Sequence, residues 1–285
     1  MKPHLPAGAA RRGPYDVYVT PETAGWSHTA LRVLDLPAGE SHTFDTGGFE
    51  TVVLPLAGRF TVTCEGERFD LRGRRSVFTR VTDFAYVPRD SRVTVTGEGR
   101  FALPAARCDD RLAPRYGPAE EIPVELRGAG AASRQVTNFC TPEGFPHADR
   151  LIACEVLTPG GCWSSFPPHK HDEQTAHESE LEEIYYFAVR DGGRGYMRVY
   201  GTEERPIDVL AEVRTGDVVL VPHGWHGPAM SPPGHDLYYL NVMAGPSPER
   251  AWRITDDPAE AAVRDTWPGQ SLDPRLPLTS AQEAP

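Results

Sequence analysis

The sequence lacks any apolar run near the roughly 18 residues that cross a bilayer, so no membrane-spanning segment is expected. The opening stretch, MKPHLPAGAARRGPYD, has no apolar core of the kind a secretory signal needs, and the expected compartment is the cytoplasm. Cysteine is scarce. Cys64, Cys108, Cys140, Cys154 and Cys162 are odd in number, widely spaced and without a CxxC pair, which excludes a disulfide framework and points to reduced, mostly buried thiols. Positive charge is also short, with 29 Lys and Arg against 40 Asp and Glu and a net charge of −11. No basic stretch offsets it, so nucleic acid and anionic membrane surfaces are excluded as partners. No 10–15-residue amphipathic pattern separates the strand-like segments, so βαβ units are not expected.

Turn formers are abundant instead. The chain has 27 Gly and 28 Pro, spread between short Val, Thr, Phe and Tyr runs. LRVLDL, ETVVLPL, RFTVTCEG, FAYVP and SRVTVTG fall within residues 31–107, and LIACEVL, EEIYYFAV, GYMRVYG, DVVLVP and LYYLNVMAG within 151–244. Short strands with regular punctuation predict an all-β sandwich or barrel. The two stretches also match in order. LPAGESHTF is answered by LTPGGCWSSF, ETVVLPLAG by EEIYYFAV, and FAYVPRDSRVTV by DVVLVPHGWHGP. A duplicated barrel follows, with 1–130 as one module and 131–285 as the second, and an extra segment near 167–181 in the second copy. Asp257-Pro258-Ala259-Glu260 resembles a capping-box start and predicts a short C-terminal helix through about Asp265.

Histidine clusters in one place. Of ten, five (His169, His171, His177, His223 and His226) fall in one part of the second copy. In a strand, residues two apart share a face. His169 and His171 can therefore point into a barrel while Lys170 points out. A Glu on the next strand and a His after a Pro-x-Gly turn complete an N₃O site. Three imidazoles and a carboxylate suit a divalent Zn, Fe, Mn, Ni or Co ion and leave positions open for substrate oxygen.

These residues resemble the cupin signature: His-x-His, a following Glu, then Gly-x5-Pro-x-Gly and a closing His. Only the second copy keeps the ligands, because the first has Ser41-His42-Thr43 and Pro88-Arg89-Asp90 at the matching places. The resemblance implies a bicupin, two jelly-roll β-barrels, with a degenerate N-terminal half. WSSFPPHKHD, EEIYYF, VPHGWHGP, LYYLNVMAGP, GRRSVF and RLIACEVLTPGGCWSS are similar to the 5-deoxy-glucuronate isomerase family of myo-inositol catabolism. A related pectin-pathway family, the 4-deoxy-L-threo-5-hexosulose-uronate ketol-isomerases, has the same plan and binds zinc.

The resemblance implies His169, His171, Glu183 and His226 as ligands of one divalent metal ion, zinc first. Two departures bear on that set. The insert DEQTAHESEL brings in Glu173, Glu178, Glu180 and Glu182 as rivals. Glu183 is preferred because, like the cupin ligand, it precedes the hydrophobic strand residue. Alternation then turns Tyr185 and Phe187 inward and Ile184 and Tyr186 outward. The closing motif is one residue short, which makes His223 a rival of His226. His226 is preferred, since the second position of a turn usually faces solvent.

The implied reaction is an aldose–ketose isomerisation of 5-deoxy-D-glucuronate to 5-dehydro-2-deoxy-D-gluconate through an enediol(ate). The general base stays open among a non-ligand His or Glu, Tyr185 and a metal-bound hydroxide. The substrate carboxylate asks for a local cation. Arg198 is the candidate, with Tyr185 and Asn241 as further substrate contacts and Arg250 and Arg253 as weaker cations. An insert beside the site, with an exposed His177, suits a lid. A homo-oligomer is expected. The rival classes are an Fe(II) cupin dioxygenase and a non-catalytic sugar-acid-binding cupin.

Overall fold

The computed structural model describes residues 2–282. Its strands pair antiparallel throughout, and its helices are short. The β-branched and aromatic runs form the ladders, and Gly and Pro end them. In the first half, the strands Thr29–Asp45, Phe49–Cys64 and Arg92–Arg107 lie side by side, flanked by Val17–Val19, Glu67–Arg74, Phe84–Val87 and Arg115–Gly117. The three long strands bend round a barrel because their registers slip between Leu36 and Glu40 and between Pro55 and Ala57. Gly58 marks the bend. Its φ is +107°, and a Cβ there would stand 1.9 Å from the Glu98 carbonyl oxygen, so only glycine fits. Leu34, Phe44, Val53, Phe60, Val62 and Phe101 fill the interior of this barrel.

The second half has two sheets. One runs, in order, His4–Leu5, Val218–Val221, Glu182–Val189, Leu237–Ala244, Ile152–Thr158, Arg134–Cys140 and Val124–Arg127. The other runs Asp208–Val213, Gly195–Tyr200, Trp225–Met230, His169–Lys170 and Thr255–Asp256. The first sheet takes its edge strand from the chain's N-terminus, with His4 opposite Val219. The expected divide at residue 130 falls between the paired strands Val124–Arg127 and Arg134–Cys140.

Alternation along Glu182–Val189 has two buried consequences. Tyr185 and Phe187 point into the second barrel, among Met197, Val199 and Tyr239. Ile184 and Tyr186 take the outer face, which is not open to water. They share a core with Leu31, Val33, Val52 and Leu54 of the first half. That common core explains why both halves read as near-continuous apolar runs.

Two glutamates lock the halves reciprocally. Glu182 accepts hydrogen bonds from the amides of Ser27, His28 and Thr29 at 2.7–2.9 Å, just where the first barrel's opening strand begins. Glu50 accepts from the amides of Asp149, Arg150 and Leu151, just before the strand Ile152–Thr158, and from Tyr86 Oη at 2.8 Å. Glu50 and Glu182 therefore occupy matching positions in the two copies. Glu50→Ala leaves three amides without their acceptor. It is expected to destabilise the fold by about 3 kcal/mol or more, at 1–3 kcal/mol per orphaned group, read as a lower denaturant midpoint at unchanged slope.

The C-terminal helix is a 3₁₀ helix over Ala261–Gly269, later than the capping box placed it. Asp257 Oδ1 accepts from the Ala259 amide at 2.9 Å and holds a turn instead of an α-helical start. Among the described residues, no helix is long and apolar enough to cross a membrane. All five cysteines are unpaired and buried.

Candidate metal centre

The second barrel's cavity, about 260 Å³, differs from the filled first barrel in having a polar floor. His169 starts the short strand His169–Lys170 and stands opposite His226 in the neighbouring ladder. His171 follows at the end of the same segment. The three rings bring one nitrogen each within 4.8 Å of one another, in position to hold a metal ion. His223 is outside that group.

The second nitrogen of each ring explains its orientation. Nδ1 of His169, His171 and His226 faces the carbonyl oxygens of Pro167, Leu181 and Gly224 at 3.4, 3.2 and 3.2 Å. A carbonyl only accepts, so each Nδ1 carries the proton and each Nε2 lone pair is left for the cavity. Glu183 Oε2 lies 3.0 Å from both His171 Nε2 and His226 Nε2. Its other oxygen accepts from Asn241 Nδ2 at 2.6 Å. His226 Nε2 is buried with no hydrogen-bond partner. Electron-rich nitrogens and a carboxylate oxygen this close need a cation between them, which is the arrangement a metal ion relieves.

The electrostatics follow. Burial would raise the Glu183 carboxyl; when protons on His226 and His171 take the place of an ion, their charges outweigh burial and hold it down to about 2. Burial opposes charge on His171, yet the adjacent Glu183 raises its pKa. Burial, with the two neighbouring rings, pushes His169 well below its usual value.

The rival carboxylates have other work. Glu178 accepts from Lys170 Nζ and from the Asp172 and Glu173 amides at 2.9–3.1 Å. Glu182 grips the first half, and Glu173 and Glu180 are exposed. Lys170 faces away from the cavity, over the Trp225 ring and between Asp172 and Glu178. Those carboxylates outweigh its burial and keep its ammonium well above the usual range. The insert is pinned as well as long. Leu181 donates its amide to His171 O, and Ser179 donates its amide to Arg253 O. His177 at its tip is exposed.

Arg198 requires a correction. Met197 and Val199 take the inward face, so Arg198 points outward, where it pairs with Asp208 and lies over Tyr200. Arg250 is spent on the backbone carbonyls of Leu151, Phe145 and Cys140, and Arg253 on Glu249. The cations on the cavity wall are Arg127, Arg134 and Arg264, none of them foreseen. Arg127 pairs with Glu125 and Arg264 with Asp256. Arg134 is buried, has no carboxylate partner among the described residues and donates Nη1 to the Ala132 carbonyl at 2.9 Å. Burial lowers its pKa to about 10, which leaves it cationic near neutral pH. Period-2 reading of RQVTNFC carries the signal, since Arg134 shares a face with Val136, another wall residue.

Tyr185 and Asn241 do line the cavity. Ser165 Oγ sits between Tyr185 Oη at 3.1 Å and Tyr239 Oη at 3.2 Å, all three buried. Ser165 holds a left-handed φ of +46°, unusual for a residue with a side chain. Gly227, beside His226, makes this approach feasible, because a Cβ there would lie 1.8 Å from Ser165 O. Burial first, then the nearby Glu183 charge, keeps the Tyr185 phenol protonated, so it serves as a donor and not as a resting base.

Two β-barrels sharing one core, with three histidines converging in one of them, define a bicupin with one metal-type centre among the described residues. The chain belongs to the KduI/IolB family, whose model matches residues 4–263. It is 42% identical over 254 residues to a 5-deoxy-glucuronate isomerase of Geobacillus kaustophilus, covering 85% of this chain and 88% of that one. It is 39% identical over 248 residues to the Bacillus subtilis (strain 168) protein of the same name, covering 85% and 89%. The crystal structure of an IolB-like protein from Salmonella typhimurium superposes with a TM-score of 0.85 at 32% identity, covering 92% of this chain and 99% of that one. Lactobacillus farciminis oxalate decarboxylase shares the fold at a TM-score of 0.58 and 14% identity, over 84% of this chain and 82% of that one. The chain is thus an isomerase by family.

Proposed function

We propose that this protein is a metal-dependent aldose–ketose isomerase of myo-inositol catabolism that converts 5-deoxy-D-glucuronate to 5-dehydro-2-deoxy-D-gluconate. The observation that carries the reading is the convergence of His169, His171, His226 and Glu183 at one cavity whose lining also includes the buried Arg134. Relatives at 39–42% identity bear the corresponding name.

The four residues hold one divalent ion, zinc first by its fit to N₃O donors. When bound, the ion supplies Lewis-acid polarisation of the substrate carbonyl and offsets negative charge on its oxygens. The chain's own residues bind and orient the substrate and serve its oxygen-bound protons. Arg134 meets the substrate carboxylate and fixes which end of the sugar acid enters the barrel. Asn241 fixes the Glu183 carboxylate by the 2.6 Å hydrogen bond. Ser165, Tyr185 and Tyr239 stand where the proton on the substrate's two reacting oxygens must change places, and their mutual hydrogen bonds let one hydroxyl donate as another accepts. Trp252 and Ile254, from the segment after the last barrel strand, wall off water. The enzyme works as a cytoplasmic homo-oligomer in this reading.

The test is NMR of purified protein with 5-deoxy-D-glucuronate, before and after chelation and after adding back zinc, manganese or iron. Conversion that chelation stops and metal restores, without oxygen uptake, is the expected result. Conversion that persists after complete metal removal overturns the metal dependence. Asn241→Leu leaves the ligands in place but frees the carboxylate. It is expected to cost about 10–100-fold in metal affinity, measured by competition with a chromophoric chelator.

A further inference from the structure

We propose that the first half carries a second ligand site, a pocket for a small oxyanion centred on Arg80. The hollow is about 300 Å³ and lies where Glu67–Arg74 and the loop after it meet the bend at Gly58. Its walls carry Arg59, Arg72, Arg74, Arg75 and Arg80, and no carboxylate among the described residues lines it. So dense a set of cations is unexpected in a chain of charge −11.

Arg80 makes this a site and not merely a basic surface. It is 2% exposed, and its Nε is buried without a hydrogen-bond partner. Its Nη1 donates to the Gly73 carbonyl at 3.0 Å. No carboxylate among the described residues lies within ion-pair distance of it. The two nearby buried acids are engaged elsewhere. Asp83 accepts from the Arg72 and Gly73 amides at 2.7 and 2.9 Å and from Tyr116 Oη at 2.8 Å. Glu155 is bound to Arg74 and to Tyr238 Oη. A buried guanidinium without a counter-charge is costly, and an oxyanion is the ligand that supplies both the charge and an acceptor for Nε. Arg59 and Arg72 stand exposed on the rim, without ion pairs among the described residues, and can close over the anion's outer oxygens. A phosphate and a metabolite carboxylate both present this chemistry.

None of the residues of this hollow borders the metal centre, so the inference does not depend on the isomerase reading. Calorimetric titration of the metal-loaded protein at low salt, with inorganic phosphate in one arm and malonate in the other, tests it. A saturable site that Arg72→Gln weakens and Glu183→Gln leaves unchanged is expected, and the tighter anion identifies the source. Arg80→Gln is expected to weaken binding about tenfold or more, as loss of a charge-assisted hydrogen bond should. Arg72→Gln, on the exposed rim, should weaken it several-fold with the fold intact, so the test stands if Arg80→Gln does not fold. Glu183→Gln must leave the affinity unchanged. Absence of saturable binding, equal affinity in wild type and Arg72→Gln, or loss of binding in Glu183→Gln overturns the proposal.

Discussion

Glu183→Gln is expected to lower turnover and metal affinity by about 100-fold or more. One carboxylate oxygen faces two imidazole nitrogens at 3.0 Å, and the other accepts from Asn241. The amide removes the negative charge and replaces one acceptor by a donor. Whichever way the Gln side chain turns, its NH₂ group meets either the metal position or the Asn241 donor. Removing one partner of a buried charge pair costs about 3–5 kcal/mol, and each 1.36 kcal/mol is a factor of ten. Glu180→Gln is the control, because Glu180 is exposed and its amide, not its carboxylate, is held, by Gln174. It should keep full metal content by elemental analysis. If Glu180→Gln loses the metal and Glu183→Gln keeps it, the ligand assignment is wrong. Circular dichroism of both variants separates a lost ligand from a lost fold.

Arg134→Met is the second large effect. It is expected to raise KM about 30-fold or more, with a smaller change in kcat. A charge-assisted hydrogen bond to a buried carboxylate is worth about 2–3 kcal/mol, all of it in holding the substrate end remote from the reacting carbons. Stability moves the other way. The guanidinium is buried with no ion-pair partner among the described residues, so Met of similar length should leave the unfolding midpoint unchanged or raised. A merely structural role for Arg134 would reverse both signs. A substrate analogue with a neutral amide in place of the carboxylate should show little difference between wild type and Arg134→Met. A large difference with that analogue would remove Arg134 from carboxylate recognition.

The parts of the site legible in the sequence are those set by local spacing. His169 and His171 share a face because they are two apart in extended chain, and His226 follows its Pro-x-Gly turn at short range. The choice among five glutamates needed tertiary information. Glu178, Glu182 and Glu183 are the same residue type and fall within six positions. Only the packing shows one holding the insert, one holding the other barrel and one facing the histidines. Arg198 was misread for a related reason. Period 2 gives two faces but does not say which is inside, and Met197 and Val199 claim the apolar one.

Arg134 and Arg80 mark the limit of sequence reading most clearly. Each is one arginine among many in a chain that needs them on its surface, and burial is what makes each chemically distinct. The reciprocal clamps of Glu50 and Glu182 were half visible. The sequence aligned the two positions, but only the fold shows each gripping the other half.

By itself, then, the sequence determined the all-β class, the turns, the duplication and the histidines, because these depend on residue type at fixed short spacing. The tertiary structure decided which carboxylate meets the histidines, which arginines are buried without a counter-charge among the described residues, and how differently the two barrel interiors are filled. Those depend on which faces are packed together. The first barrel's interior is filled by Leu, Val and Phe, while the second keeps polar groups around an open cavity. A residue's burial and partner set its charge state and its availability, and both are properties of the assembled fold.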